Sequence, residues 1–555
     1  MEFFQEAPEL LNQYSDDRVL RNYLKKNLKE STLSEIENDL IRFGERVVSD
    51  VLKMAEESEQ NPPVHIPYNP WGKRIDEIKV CRGWTELDKV AAEEGIVAIG
   101  YERKFAEESR LYQFAKLYLF HPSSAIYSCP LAMTDGAARL IEMHGDEALK
   151  KKAFKHLTSR SPQEFWTSGQ WMTERTGGSD VSGTSTVAKV ENGTYKLYGV
   201  KWFTSATTSQ MAMTLARIEN DPGGKLSLFY VELRNAEGEL QNIQINRLKD
   251  KLGTKALPTA ELTLMGTPAS LVGDAGKGVK TIATLFNITR LYNACCAVGY
   301  MRRGLALAKS YAQKREAFGK KLIDHGLHAD TLADLQARFE LSFLLTFHAI
   351  KLQGKEEMQK CTETESGALR LLIPLVKLHT AKEGVAIASE LLESFGGAGY
   401  IEDTGLPQLL RNAQVLSIWE GTTNVLSLDA QRAIKKENAG EGFMVDLKSR
   451  LAQLNNPKTQ SFLQDLTPVV EKLSGDLTFI KNHDSEDVAT NARTMAFNLT
   501  RIYGLALVLE QADWELANNM PETSLHVAHR LVEKGLYSPP ISTPERRKNS
   551  LELLA

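Results

Sequence analysis

Residues 416–429, LSIWEGTTNVLSLD, place a single carboxylate at a short polar turn between two apolar segments. Glu420 opens that turn and is followed by residues 421–424, GTTN. Apolar neighbours keep water away from a carboxylate, and desolvation raises its pKa toward the value that a general base needs. The stretch also fits an ordinary helix N-terminus, with Thr422 or Thr423 as cap and Glu420 in solvent. The rest of the sequence decides between these two interpretations.

Length and composition describe an ordinary globular protein. The 555 residues exceed what one hydrophobic core organises, which predicts three to four domains. A net charge of −4 gives no general attraction to nucleic acid or to an anionic membrane. No apolar run is long enough for a membrane span. The acidic N-terminus lacks a signal or transit pattern, and the ending LELLA is not a peroxisomal tripeptide, so we expect a cytoplasmic protein.

The hydrophobic period changes twice along the chain. Residues 1–165 are mostly helical in pattern, interrupted by a proline-rich segment at 61–70 that we expect to be a loop. From about residue 166 short alternating segments predict strands at 184–190, 194–203, 211–218, 226–233 and 261–265. Asn192-Gly193 between the first two is a strong signal for a β-hairpin. Helical patterns return at residue 278 and continue to the end.

The order helices, strands, helices, helices predicts a mostly α fold with a central β-domain. Strands without intervening helices favour a small antiparallel barrel or sandwich over a parallel sheet. We expect four domains, at 1–165 (helical), 166–278 (β), 279–436 (helical bundle) and 437–555 (helical extension).

Two glycine-rich motifs and one aromatic motif suit a bound ligand. Gly177-Gly178-Ser179-Asp180 allows backbone N–H groups to approach a ligand closely, although a surface turn explains it equally well. Trp202 and Thr204 are two apart on one strand and could face a planar ring, or Trp202 could belong to the core. ESFGGAGY (393–400) on its own would be a helix C-cap.

The arginines of the third region have two interpretations as well. Arg315, close to a glycine-marked bend in KREAFGKKL, could pair with phosphate or lie on a solvated helix face. His325 and His328 lack further ligands for a metal site, and we expect both to be structural.

The ordered set MTE-x-x-GGSD, KWFTS, TR, REAFG, FGGAGY and WEGTTN resembles the acyl-CoA dehydrogenase family of flavoproteins over about residues 90–435. RLKDKLGTKALPTAEL (247–262), SIWEG and the long helical tail resemble the AidB-like branch of that family. The resemblance implies a helical N-terminal domain, a β-barrel and a C-terminal four-helix bundle, with bound FAD and assembly as a homotetramer. It also implies an acyl-CoA or fatty acyl ligand and leaves the electron acceptor unknown.

The resemblance assigns roles to individual positions. It implies that FAD is contacted by Met172, Thr173, Ser179, Trp202, Thr204, Arg315, Phe318, Gly396, Gly397, Thr422 and Asn424. It implies that the substrate is contacted by Ser179, Arg290, Glu420 and Gly421. Glu420 then takes the α-proton of an acyl thioester, whose carbonyl is polarised by the Glu420 N–H, while the β-hydride passes to flavin N5. The expected reaction is α,β-dehydrogenation of a medium- or long-chain acyl-CoA.

Three positions depart from the family pattern and leave other functions open. Glu393 replaces a common Gln before the glycine turn, Gly326 stands where a flavin-contacting Gln is usual, and Trp419 replaces the usual Tyr before the base. A flavoprotein that sequesters acyl-CoA or fatty acid with little turnover is therefore an alternative. An AidB-like association with nucleic acid is disfavoured, because residues 441–555 carry 12 Lys and Arg against 15 Asp and Glu.

Overall fold

The computed structural model describes residues 5–483, 486–540 and 544–555. The chain forms two compact units, one comprising Met1–Ile41, Phe105–Tyr112 and Asn293–Ala555, the other Arg42–Lys104 and Gln113–Tyr292. We call them unit 1 and unit 2 and describe each by itself. The four-domain division expected from the sequence stays a prediction.

The N-terminal region is helical, as predicted. Its helices are α1 (Arg18–Asn27), α2 (Glu30–Arg46), α3 (Asp50–Gln60), α4 (Arg82–Glu93), α5 (Ile99–Glu102), α6 (Ser109–Phe120), α7 (Ser128–His144), α8 (Glu147–Leu149) and α9 (Lys155–Leu157).

The prediction of a loop at 61–70 is right for residues 61–63 and 69–70 and wrong for 64–68, which forms the first strand of a β-hairpin. Strand β1 (Val64–Tyr68) pairs with β2 (Arg74–Lys79) in antiparallel register. The alternating sequence VHIPY suits a strand, and Pro67 falls where the register shifts between Ile66 and Tyr68, so it interrupts no regular ladder. The prolines masked that alternation.

Unit 2 contains the predicted β-domain. Its strands are β3 (Ser168–Trp171), β4 (Val187–Glu191), β5 (Thr194–Ser205), β6 (Met211–Ile218), β7 (Leu226–Glu232), β8 (Ile243–Leu248) and β9 (Thr259–Val272). The pairings β4–β5, β5–β9, β9–β7, β7–β6 and β6–β4 close a ring, with β3 added at β6 and β8 at β9. The result is a small barrel, antiparallel except at β3–β6 and β4–β6.

Local sequence explains two features of the barrel. The hairpin predicted at Asn192-Gly193 is present, because both residues adopt positive φ (51° and 76°) and Glu191 pairs with Thr194. Strand β9 continues past its predicted end at Met265, because Gly266 (φ 92°) lies at a register shift against Tyr198 and carries the chain onward.

Unit 1 contains the second helical region. Helix α10 (Gly278–Lys314) begins in unit 2 and continues into unit 1. It is followed by a short hairpin of two strands, β10 (Glu316–Ala317) and β11 (Lys320–Lys321), and then by the remaining helices. They are α11 (Gly326–Glu357), α12 (Glu363–Ser394), α13 (Leu406–Leu416), α14 (Thr423–Lys436), α15 (Ala439–Ala452), α16 (Pro457–Gln460), α17 (Leu463–Asn482), α18 (Glu486–Thr490), α19 (Ala492–Ala517), α20 (Thr523–Glu533) and α21 (Pro544–Leu554).

Helices α11 and α12 form the centre of unit 1. Both bury apolar residues along most of their length, as helices covered on several sides do. The tail helices pack on them, with α15 against α12 and α19 against α11. None of the helices in the described ranges combines the length and apolarity needed to cross a membrane.

Candidate active site

The turn predicted to hold the base is strained. Glu420 is half-buried between α13 and α14 and has a φ of 58°, in the left-handed region that side chains rarely occupy. Gly421 follows with a φ of 105°, and a Cβ there would lie 3.0 Å from Leu426 Cδ2. A non-glycine residue in the left-handed region costs on the order of 1–3 kcal/mol and persists only when its surroundings hold it there.

A buried lysine holds this turn from α12. Lys377 is 1% exposed, and its Nζ donates a 2.6 Å hydrogen bond to the carbonyl oxygen of Gly421. The bond fixes the Gly421–Thr422 peptide, one residue beyond Glu420. Sequence reasoning did not single out Lys377, although a lysine within the apolar run LLIPLVKLHTA was a signal.

Two further polar side chains border the Glu420 turn. Asn293 of α10 is 4% exposed, and its Nδ2 donates to the Leu416 carbonyl at 3.2 Å. Among the described residues, its Oδ1 and the buried Nε1 of Trp419 find no hydrogen-bond partner. Buried polar atoms of this kind are rare in folded proteins and point to a missing partner such as a ligand.

Thr422 and Asn424 lie at the start of α14. Thr422 occupies the N-cap position, yet its side chain makes no capping hydrogen bond. The alternative interpretation of this stretch as a helix N-terminus is therefore right about position, but the hydroxyl does not perform the cap's usual task. Asn424 is exposed and its Oδ1 accepts a 3.4 Å hydrogen bond from Arg493 of α19.

In unit 2 the predicted flavin residues lie where the MTE segment (172–174) runs beside strand β5. The Trp202 N–H donates to the Thr173 carbonyl at 2.9 Å, so the MTE segment lies beside the KWFTS strand. Met172 is buried in the core, whereas Ser179 is exposed. Gly178 packs so closely that a Cβ would come within 2.5 Å of Thr173 Oγ1. The glycine turn therefore depends on glycine at this position.

Trp202 and Thr204 have different surroundings although they were predicted on one face. Trp202 is half-buried, with Lys249 Nζ 3.6 Å and Arg175 Cζ 5.4 Å from its ring centroid. Thr204 is fully buried and donates to the Ala260 carbonyl at 2.8 Å. The pairing of β5 with β9 shifts register between Lys201 and Thr204, which breaks the simple alternation of faces.

A buried ion pair joins the MTE segment to strand β5. The sequence analysis did not predict it. Glu174 (2% exposed) accepts from Lys201 Nζ (fully buried) at 2.8 Å. It also accepts hydrogen bonds from the hydroxyls of Ser185 and Thr186. Burial favours the neutral acid, but the charge of Lys201 and these hydrogen bonds outweigh it and lower the Glu174 pKa to about 2.

The remaining predicted residues lie in exposed or partly exposed places. Phe318 is 97% exposed at the tip of the β10–β11 hairpin, and Arg315 is half-buried at its base. Gly396 and Gly397 are exposed at the end of α12, and a Cβ at either would meet nothing within 4 Å. Arg290 is half-buried on the part of α10 that belongs to unit 2. His325 Nε2 contacts the Ala317 carbonyl at 3.0 Å, in keeping with a structural role.

The sequence matches several family profiles in succession. Residues 6–162 match the adaptive response protein AidB N-terminal domain and 169–266 the acyl-CoA dehydrogenase middle domain. Residues 276–435 match the acyl-CoA dehydrogenase C-terminal domain and 441–551 the acyl-CoA dehydrogenase 11 C-terminal domain-like family. Acyl-CoA dehydrogenase family member 11 of Caenorhabditis elegans is 42% identical over 550 residues, which are 95% of this chain and 88% of the relative.

The chain belongs to the acyl-CoA dehydrogenase family. Solved structures share its architecture. The crystal structure of Caenorhabditis elegans ACDH-11 in complex with C11-CoA has a TM-score of 0.94 at 40% identity, covering 100% of this chain and 96% of that one. The apo form of Bd2924 has a TM-score of 0.87 at 50% identity, covering 92% and 100%.

A more distant acyl-CoA dehydrogenase, from Bacillus anthracis and complexed with FAD, has a TM-score of 0.73 at 18% identity and covers 94% of this chain and 88% of its own. At that identity the likeness concerns the fold. The family profiles and the 42% identical relative confirm the resemblance derived from the motifs at the level of the family, whose members are oxidoreductases that bind FAD. The individual site residues stay predictions.

Proposed function

We propose that this protein is an FAD-dependent dehydrogenase that converts a medium-chain acyl-CoA to the 2-enoyl-CoA. The observation that carries the proposal is the half-buried Glu420 in a left-handed turn whose next carbonyl is held by the buried Lys377. Strain maintained around one carboxylate is typical of an active site. The C11-CoA bound to the similar ACDH-11 supports a medium-length acyl chain as the substrate class.

The residues present fit FAD at several points. Gly397 has no neighbour of its own within 4 Å of a Cβ, so the chain's own packing does not require glycine there, whereas close approach of a ligand would. Thr422 Oγ1 is not used for capping. The Trp202 ring, flanked by Lys249 and Arg175, offers a planar face near two positive charges. The other proposed FAD contacts are Met172, Thr173, Ser179 and Asn424. Thr204 is proposed as a contact as well, although its hydroxyl donates to the Ala260 carbonyl.

The chain's own groups account for the proton chemistry. FAD, when bound, supplies the two-electron acceptor for the β-hydride. The Glu420 carboxylate takes the α-proton, which breaks the Cα–H bond as the Cα=Cβ bond forms. The backbone N–H of Glu420 donates a hydrogen bond to the thioester carbonyl and stabilises the enolate-like charge. Lys377 holds the Gly421 carbonyl, one residue further along the same turn. Arg290 and Ser179 are the further proposed substrate contacts.

We also propose a homotetramer. The Phe318 ring is 97% exposed at a hairpin tip and is open to contact by a second subunit. The family resemblance matches Phe318 and Arg315 to contacts that one subunit makes with the nucleotide half of its partner's FAD, and Gly396-Gly397 to the glycine turn at that half. The physiological electron acceptor stays open.

The visible spectrum of the purified protein, titrated anaerobically with saturated acyl-CoAs of increasing length, tests the proposal. We expect a yellow protein whose flavin band bleaches with medium-length chains. Glu420→Gln should retain the flavin and shift its band on binding, but reduce it more slowly by a factor on the order of 10²–10⁴. If the unaltered protein shows a shifted but unbleached band with every chain length, acyl-CoA sequestration replaces dehydrogenation. A protein without a flavin band after supply of FAD contradicts both.

A further inference from the structure

A polar cavity in unit 1 lies among residues that the proposed dehydrogenation does not use. It is lined by side chains of α1, α11, α15 and α19, among them Tyr23, Lys26, Lys351, Arg450, Glu510 and Gln511. The cavity is small, about 20 Å³, which exceeds what one water needs and suits a small ion rather than an organic molecule.

One of the three cations at this cavity has no carboxylate partner in the described ranges. Arg450 uses its guanidinium on Asp446 (2.7 Å) and Glu510 (2.6 Å), and Lys26 shares Glu510 at 3.1 Å. Lys351 contacts the neutral Asn27 Oδ1 at 3.0 Å and, within the described ranges, forms no ion pair with a carboxylate. Burial and the neighbouring cations Arg450 and Lys26 lower the pKa of Lys351, even though Glu510 opposes them.

An unused hydroxyl points to a missing acceptor in the same place. Tyr23 is 5% exposed, and across residues 5–483, 486–540 and 544–555 its OH has no hydrogen-bond partner. A buried hydroxyl without a partner costs free energy that a bound acceptor recovers. Gln511 Oε1 is also without a partner there, while its Nε2 donates to Glu515 Oε1 at 3.5 Å.

His348, which also lines the cavity, adds no charge to it. Burial and then the nearby Arg450 hold its pKa well below the ordinary value, so the imidazole is neutral at physiological pH. Its Nε2 accepts from Arg450 Nη2 at 3.1 Å. The cavity thus offers the ammonium groups of Lys351 and Lys26 and the phenol of Tyr23 as donors, and of these three only Lys26 pairs with the lining carboxylate Glu510.

We propose that this cavity binds a small oxyanion, with Lys351, Lys26 and the Tyr23 hydroxyl as donors. The several oxygens of an oxyanion can accept from all three donors at once, and charge-assisted bonds from ammonium groups are the strong ones. Because its walls come from α1, from the bundle helix α11 and from the tail helices α15 and α19, the bound anion ties the tail to the bundle within unit 1.

Thermal unfolding of the full chain with inorganic phosphate, at ionic strength matched with sodium chloride, tests the proposal. We expect the unfolding midpoint to rise with phosphate concentration, since a ligand that binds only the folded state stabilises it. Lys351→Met should weaken phosphate binding by at least about tenfold. Lys355→Met is the matched control, because this lysine, one turn along α11, pairs with Glu365 and does not line the cavity.

Tyr23→Phe keeps the test independent of folding defects. It removes only the hydroxyl that has no partner, so the midpoint without phosphate should stay or rise while phosphate binds several-fold more weakly. Glycerol 3-phosphate in place of phosphate separates the sources: because the cavity is too small for the glycerol group, we expect stabilisation by phosphate alone, and equal stabilisation by the ester would place binding outside the cavity and overturn the proposal. No phosphate-specific stabilisation, or an equal effect in Lys351→Met, overturns the proposal.

Discussion

The Nζ of Lys377 lies 2.6 Å from the carbonyl oxygen of Gly421, one peptide beyond Glu420. The lysine is 1% exposed, so its hydrogen bond is made where water competes little. Glu420 and Gly421 both have positive φ, and a turn of that kind relaxes unless something fixes its peptides. Lys377 is therefore a positioning residue for the proposed base.

Lys377→Met should slow reduction of the flavin by saturating acyl-CoA by about tenfold or more, because misplacing the base raises the barrier without removing the binding surface. We expect the affinity for acyl-CoA to change little, which stopped-flow measurements over a range of substrate concentrations resolve. Lys382→Met, on the same helix, serves as control. A folded Lys377→Met protein with an unaltered reduction rate would restrict the lysine to a structural role.

The ion pair of Glu174 and Lys201 predicts a specific dependence of stability on pH. The folded-state pKa of Glu174 is lowered to about 2, from an ordinary value of 4.5. Its stabilising contribution is thus complete above about pH 4.5 and is lost as the pH falls toward 2. The shift corresponds to about 3 kcal/mol of unfolding free energy.

Urea unfolding of the native chain and of Glu174→Gln between pH 7 and pH 3 measures this contribution. We expect the variant to be less stable at pH 7 by about 3–5 kcal/mol, since Lys201 is left buried without its carboxylate, and the gap to narrow below pH 4.5. Glu147→Gln, whose side chain is 79% exposed, is the control. A gap that stays constant down to pH 3 would mean that Glu174 does not carry the expected charge.

Local patterns sufficed for the parts of the fold that local chemistry determines. Asn192-Gly193 predicted its hairpin because the turn needs two positive φ values that these residues tolerate. The strand 211–218 was predicted at its observed bounds from its apolar run. The hairpin at 64–79 was not predicted, because prolines are usually loop signals. Strands β3 and β8 were not predicted either, because short strands depend on the neighbouring strands that pair with them.

The buried charges could not be derived from the sequence in the same way. Lys201 and Lys377 lie in apolar segments, where the sequence shows that a charge is present but not whether it is covered or by whom. Their partners, Glu174 and the Gly421 carbonyl, are 27 and 44 residues away. The environment of Thr204 depended on a register shift between β5 and β9, which no local pattern encodes.

A substitution at Gly397 tests whether this glycine is needed for FAD binding rather than for packing of the chain. A Cβ there meets nothing within 4 Å, and its φ is not positive, so Gly397→Ala should leave the unfolding free energy unchanged or raise it by up to about 1 kcal/mol. If FAD approaches this backbone as proposed, the same variant should bind FAD at least about tenfold more weakly by fluorescence titration. Gly475→Ala, equally open and on α17, should leave FAD binding intact. Undiminished FAD affinity in Gly397→Ala would remove this glycine from the flavin site.

Gly504 tests how the tail docks on the bundle. It lies in α19, and a Cβ there would come within 2.7 Å of Leu341 Cγ and 3.0 Å or less of both its terminal carbons on α11. Since Leu341 is 3% exposed and has no open space to enter, Gly504→Ala should lower the unfolding free energy by about 1–3 kcal/mol through overpacking. The same change at Gly475 should stabilise by up to about 1 kcal/mol, because Ala is the better helix former where nothing is crowded. Denaturant unfolding of both variants makes the comparison, and a Gly504→Ala protein as stable as Gly475→Ala would show that α19 does not pack this closely on α11.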